Sequence, residues 1–306
     1  FTFTVLSGPA TLSGNQLSFT NAGDAAIRAC QPGSENFLPA ADTQTITISK
    51  TPASDVALTN LLQSYDGTPK APALLSTPSN LPVFFTYNGS TSTPVEVGAY
   101  AVTGSISSPI YFGSATGLFT IAKATATITF SNLTQTYDAS PKSPSIQTTP
   151  ANLPVNLTYN GETNIPVDAG LYLVNATIND AHYTAQTNAV FEITKGTQTM
   201  TFDQGGPVDA NSELDLAATI NSGLPITYTI TSFSPSNALN RAWITNSSYV
   251  AFSVTNEASE LTVRASQNGN QNWKAADSIY CDFDVYPAFN VVEIAPLTVT
   301  YDGTPH

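Results

Sequence analysis

Cysteine, methionine, histidine and positive charge are all scarce in this chain of 306 residues. Two cysteines, Cys30 and Cys281, cannot make a disulfide-dense scaffold or a four-ligand zinc site. The two histidines, His182 and His306, fall in different repeats, so a histidine-dependent triad would hang on an isolated residue. Nine Lys and Arg against 22 Asp and Glu leave a net charge of −13. That balance excludes nucleic-acid partners, which need a basic stripe on the protein surface. Anionic membrane surfaces are disfavoured on the same ground. No stretch approaches the roughly 20 apolar residues of a membrane-spanning helix. No glycine-rich phosphate loop follows a strand. Carboxylate pairs always occur among so many acids, but acids placed in repeated turns read as scaffold, so an enzyme is not expected.

What is present is repetition, and it organises everything else. Tyr65-Asp66-Gly67-Thr68-Pro69-Lys70 returns 72 positions later as Tyr137-Asp138-Ala139-Ser140-Pro141-Lys142. The same offset carries Asn80-Leu81-Pro82-Val83 to Asn152-Leu153-Pro154-Val155, and Thr86-Tyr87-Asn88-Gly89 to Thr158-Tyr159-Asn160-Gly161. Residues 65–123 and 137–195 share 26 identities over 59 ungapped positions, far beyond chance. A second repeat type flanks the pair. Phe1-Thr2-Phe3-Thr4 aligns with Ile226-Thr227-Tyr228-Thr229, Arg28 to Gln31 with Arg264 to Gln267, and Asn36-Phe37 with Asn272-Trp273. The later copy carries about 11 extra residues around 233–255. Tyr301 to His306 restart the 72-residue unit.

The expected organisation is residues 1–50 as the C-terminal part of an Ig-like sandwich, then repeats at 51–123 and 124–195. A fuller sandwich at 196–290 and the first strand of a further repeat at 291–306 complete it. Residues 1–50 lack what 196–225 supply in the later copy. Phe1 lies inside an alternating run, so a missing leader says nothing against export.

Short alternating runs bounded by turn residues indicate antiparallel β-sandwiches. Val83, Phe85 and Tyr87 are expected inward, and Phe84 outward because Asn156 takes its place in the next unit. Tyr100, Val102 and Ile106 match Tyr172, Val174 and Ile178 on the inner face. Asp-Gly and Asn-Gly are turn pairs, with the preceding tyrosine plugging the sandwich end. Ala139 at the glycine position argues against a positive-φ requirement in the first of these turns. Asn36-Phe37 and Asn272-Trp273 read as a loop asparagine followed by an aromatic plug.

The Tyr-Asp-Gly-Thr-Pro opening, the Thr-Tyr-Asn-Gly segment and the Gly-Ala-Tyr segment at 98–100 resemble the bacterial MBG repeat. The flanking units resemble the bacterial Ig-like modules that accompany such repeats in large surface proteins. The resemblance implies an all-β array of tandem sandwiches arranged as an elongated rod, in the stalk of an extracellular fibre or cell-surface adhesin. It implies no catalytic residue. Its partners would be further repeats of the same chain, identical neighbouring chains in a fibre or, as an alternative, surface glycans contacted through Phe84, Phe112 and Trp243. No cofactor is expected. Calcium at the recurring Asp66, Glu96, Asp138 and Asp168 is a minor option, because they recur singly. Asn88, Asn132, Asn156, Asn175 and Asn246 stand in glycosylation sequons, with Asn156 and Asn175 on outward positions. Cys30, read as outward-facing, and Cys281, aligned with Ile46, are candidates for an interchain disulfide rather than an intrachain one.

Overall fold

A computed structural model describes residues 1–234, 241–253 and 258–287. The restarted unit at 291–306 lies outside the described residues. The described secondary structure is strand, bridge, turn and bend, with no helix. The chain forms two compact units, residues Phe1–Ile128, Gln147–Asn156 and Ala176–Thr187, and residues Thr129–Ile146, Leu157–Asn175 and Asn188–His306.

In the first unit, residues 1–48 form one antiparallel sheet of Thr2–Ser7, Gly23–Gln31 and Ala40–Ile48, with a hairpin of Ala10–Ser13 and Gln16–Phe19 beside it. The first repeat follows as a sheet ordered Val83–Tyr87, Gly98–Ile106, Ser114–Ala122 and Leu62–Ser64, plus the antiparallel pair Ser54–Thr59 and Ala73–Thr77. Alternation builds its core. Val102, Phe119 and Ile121 are buried, and Tyr87, Phe85, Leu58, Leu61 and Tyr65 close around them. Val83, expected inward, is exposed, because at the first position of its strand it lines an open groove with Leu75 and Leu81 instead of closed core. Phe84 is exposed as expected.

In the second unit, Tyr159, Val174, Phe191 and Ile193 make the core of the second repeat, with Phe130, Leu133 and Tyr137 packed on it. The C-terminal module pairs Thr227–Ser234, Ser259–Ser266 and Ile279–Tyr286 with Gly206–Asp209 at the edge, and Leu214–Asp215, Tyr249–Ser253 and Arg241–Thr245 form its other sheet. Met200, Phe202, Leu216, Val250, Leu261, Val263, Phe283 and Val285 fill the space between.

The sheets are not purely antiparallel. Leu62–Ser64 runs parallel to Ser114–Ala122, Thr134–Thr136 to Tyr183–Thr194, and Gly206–Asp209 to Ile279–Tyr286. Each parallel edge comes from the opening segment of its module, so the two repeat types share one plan. The two flanking modules also match each other in register. The irregularity between Val5 and Ser7 recurs between Ile230 and Ser232. Ala25 pairs with Ile46 as Leu261 pairs with Phe283, and Ile27 pairs with Gln44 as Val263 pairs with Cys281. Cys281 therefore corresponds to Gln44, not to Ile46; the alignment with Ile46 rests on one residue inserted after the Ala-Ala pair, and the strand register places the length difference the other way.

Asn88-Gly89 and Asn160-Gly161 all have positive φ, as a two-residue hairpin requires, and their asparagine Oδ1 atoms accept the N–H groups of Ala101 at 2.9 Å and Leu173 at 2.8 Å. The Tyr-Asp-Gly turn behaves otherwise than expected. Gly67 has φ of 80° and Ala139 has φ of 66°, so the left-handed conformation is kept although alanine pays for it. The aspartate enforces it. Asp66 Oδ1 accepts Thr68 N–H at 2.9 Å and Thr68 Oγ1 at 2.6 Å, and Asp138 Oδ1 accepts Ser140 N–H at 3.0 Å. Lys70 and Lys142 pair with the other carboxylate oxygens.

The lysine and hydroxyl hydrogen bonds hold Asp66 and Asp138 down to about 2, against an ordinary 3.8. A carboxyl depressed by folding stabilises the fold fully above its ordinary value and loses that contribution as pH falls toward 2. Lys70→Met is expected to move the Asp66 carboxyl midpoint, followed by NMR, upward toward 3.8. Ala139→Gly is expected to stabilise the second repeat, and Gly67→Ala to destabilise the first, each by roughly 1 kcal/mol in denaturant titration. Space is open beside Gly67, where a Cβ would meet only Tyr65 Oη at 3.9 Å, so the cost there is conformational.

Candidate functional site at the module junctions

One short loop recurs in all four modules. Its members are Ser34-Glu35-Asn36-Phe37, Ser108-Pro109-Ile110-Tyr111, Asp180-Ala181-His182-Tyr183 and Asn270-Gln271-Asn272-Trp273. The first residue of the loop donates its N–H to the carbonyl of the aromatic, at 2.9 Å in Ser34, 3.1 Å in Asp180 and 3.0 Å in Asn270. In the three later loops its side-chain oxygen also accepts the N–H two residues on: Ile110 at 3.1 Å, His182 at 2.9 Å and Asn272 at 2.8 Å. Small polar residues are selected there because only a short side chain reaches back in this way.

The loop receives the strand that enters the module. Thr51 N–H donates to Ile110 O at 2.8 Å, Ala124 to His182 O at 2.8 Å, and Gly196 to Asn272 O at 2.9 Å. The entering residues pair in parallel with the aromatic, as Thr51 with Tyr111, Ala124 with Tyr183 and Gly196 with Trp273. A backbone link with obligatory partners thus takes the place of a free linker.

Side chains add further ties at two of these entries, within the first unit and within the second. In the first unit, Tyr65 stacks on His182 with ring centroids 4.2 Å apart and 14° between planes, and meets Tyr183 edge-on at 5.8 Å. Glu96 Oε2 lies 2.6 Å from His182 Nε2, and Lys123 Nζ donates to Asn179 Oδ1 at 2.7 Å and to Asp180 O at 2.5 Å. In the second unit, Tyr137 meets Trp273 edge-on at 5.3 Å. Asp168 accepts Asn272 Nδ2 at 2.8 Å, Asn272 Oδ1 accepts Ala169 N–H at 2.9 Å, and Lys195 Nζ donates to Asn270 O at 2.7 Å. Tyrosine, acid and lysine occupy equivalent repeat positions in both sets. Gly196 is needed for close approach, because a Cβ there would come within 2.7 Å of the Trp273 ring.

The acids considered for calcium are therefore engaged one by one, with Lys70, His182, Lys142 and Asn272. Among the described residues, no three His, Cys, Asp or Glu side chains converge on a metal-sized site. Of the aromatic plugs, Trp273 packs on Tyr137, but Phe37 is 71% exposed, with no ring against it among the described residues. Phe84, Phe112 and Trp243 are each about half exposed. Asn156 is exposed, whereas Asn175, between buried Val174 and Ala176, is only half so. Asn88 and Asn246 sit in turns with positive φ; Asn132 also has positive φ, and its Nδ2 donates to Ser145 at 2.8 Å.

Both cysteines are free thiols. Cys30 is half-buried, on the strand face it shares with exposed Arg28. Cys281 is buried and donates to Gln204 O. Burial, with Asp282 beside it, pushes the Cys281 thiol up and keeps it unreactive.

Sequence reasoning finds Tyr65, Tyr137, the lysines at the boundaries and the loop at Asn36-Phe37 and Asn272-Trp273, but not its recurrence at 108–111 and 180–183. Its signal is a Ser, Asp or Asn three residues before an aromatic, spread over two repeat types.

Residues 54–125 and 126–197 each match the family model described as the MBG domain. No curated protein matches the chain. Among solved structures it is similar to protocadherin gamma B2 extracellular cadherin domains 1–5, at 10% identity, covering 94% of this chain and 72% of that one, with a TM-score of 0.30. Drosophila N-cadherin EC1-4 matches at 11% identity, with 94% and 92% covered and a TM-score of 0.26. Sidekick-1 immunoglobulin domains 1–5 match at 11% identity, with 94% and 73% covered and a TM-score of 0.30. Likenesses this loose carry no function to this chain.

Gly196→Ala is expected to push Trp273 off Tyr137, red-shifting tryptophan emission and costing about 1–3 kcal/mol in the C-terminal module. Iodoacetamide is expected to label Cys30 well before Cys281; mass spectrometry of a time course reads the order.

Proposed function

We propose that this chain, which contains two MBG domains at 54–197, is part of the shaft of an extracellular fibre or cell-surface adhesin. The observation that carries this reading is the repeated junction. An array whose purpose is reach needs modules that hold their neighbours in register, and length that grows with copy number. Each entering strand here is hydrogen-bonded into the next module, and a tyrosine, an acid and a lysine reinforce two of the entries. The work is mechanical and calls for no catalysis and no cofactor.

The acidic, lysine-poor surface favours solubility at high local concentration. Contacts between neighbouring chains along exposed strand edges belong to the same reading. A glycan- or cell-binding role rests on Phe84, Phe112 and Trp243, yet the next repeat places Asn156 and Thr184 where Phe84 and Phe112 stand, so such a patch would not recur along a shaft.

Small-angle scattering of the whole chain tests the proposal. A rod whose cross-section matches a single sandwich is expected. A compact globule would overturn it. A reproducible signal on a glycan array, lost on Phe84→Ser, would favour the binding role instead.

A further inference from the structure

Every complete module opens with a segment that covers its main sheet, and the first module does not. In the first repeat the segment contributes Leu58, Leu61 and Tyr65 to the core, and in the second Phe130, Leu133 and Tyr137. In the C-terminal module it contributes Met200, Phe202 and Leu216, pairs Gly206–Asp209 in parallel with the outer strand of one sheet, and pairs Leu214 with Val250 of the other. Residues 1–48 contain the partners of such a segment and not the segment. Phe3, Val5, Ile27 and Ile46 stand at the registers of Tyr228, Ile230, Val263 and Phe283. The hairpin pair Leu12 and Leu17 stands where Ile244 pairs with Val250.

The consequence is an open apolar groove of about 230 Å³, lined by Phe3, Leu12, Asn15, Leu17, Ile27 and Ile46. Ile46 is 39% exposed, whereas its counterpart Phe283 is 2% exposed. Along Ala40–Ile48 only Ile48 is better than exposed, while the matching strand Ile279–Tyr286 alternates buried and exposed. Among the described residues no strand pairs with the outer edge of Ala40–Ile48, where its counterpart receives Gly206–Asp209. An apolar face and such an edge together call for a strand, not a small molecule.

We propose that this groove seats a strand-forming segment with the chemistry of residues 196–225, joined ahead of Phe1 as residues 196–225 are joined ahead of Ile226. The segment lays a parallel strand along Ala40–Ile48 and fills the groove with aliphatic and aromatic side chains, at the places that Met200, Phe202, Leu214 and Leu216 hold in the later module. The same segment brings a backbone N–H to the carbonyl of Asn36, as Gly196 does to Asn272, and sets the end of a preceding domain against Phe37.

The test joins a second copy of residues 196–225 to Phe1 of the whole chain and follows amide hydrogen exchange. Exchange across Ala40–Ile48 is expected to slow about tenfold or more, with Gly98–Ile106 unchanged as the sign that the rest of the chain keeps its fold. A joined segment with serine at the places of Met200, Phe202, Leu214 and Leu216 is expected to give no protection. Unchanged exchange in Ala40–Ile48 with the native segment would overturn the proposal. So would a dimer of the unextended chain, seen by light scattering, that already protects this strand, since the occupant would then be a second copy.

Discussion

The feature on which the rest depends is a backbone hydrogen bond. The N–H of an entering residue, Thr51, Ala124 or Gly196, finds the carbonyl of Ile110, His182 or Asn272 in the module that it enters. A linker of ordinary composition would leave those groups to water and let neighbouring domains turn freely. Here the chain has no free linker at these places. The last strand of one module continues directly into a parallel pairing with the loop of the next, and the parallel edge strand follows within a dozen residues. The geometry of the loop, fixed by a serine, aspartate or asparagine side chain folded back on the main chain, is thus also the geometry of the junction.

Side-chain chemistry then differs between junctions while its positions do not. A tyrosine presents its ring to histidine and tyrosine in one case and to tryptophan in the other. An acid meets histidine or asparagine, and a lysine reaches loop carbonyls in both. Exposed charge pairs of this kind contribute little alone. Their value lies in acting beside aromatic contact and an obligatory backbone bond. The positions are thus kept from one junction to the next while the chemistry that fills them changes.

Much of this was legible before any coordinates. The 72-residue offset, the alternation of Val102 and Ile106 against their neighbours, and the Asn-Gly hairpins carry local rules that tertiary context leaves alone. Four features escape the sequence for physical reasons. Ala139 argues by itself against a left-handed turn, but the capping aspartate and its lysine outweigh the strain of a Cβ there. The alignment of Phe37 with Trp273 suggests a plug, but an aromatic is buried by what lies opposite, and local pattern does not supply that. The parallel edges were invisible because parallel pairing joins distant segments and leaves no turn signature. The junction loop was hidden by its own variety, since Tyr111, Tyr183 and Trp273 look unrelated until the loop geometry aligns them.

The central claim is that consecutive modules are held, not merely strung together. Residual dipolar couplings measured on the whole chain, for the first repeat and for the part of the second repeat within Ala176–Thr187, address it directly. One alignment tensor should fit both sets of couplings, and Tyr65→Ala combined with His182→Ala should split it into two. Couplings that already require two independent tensors in the unaltered chain would contradict a junction held by strand, ring and lysine.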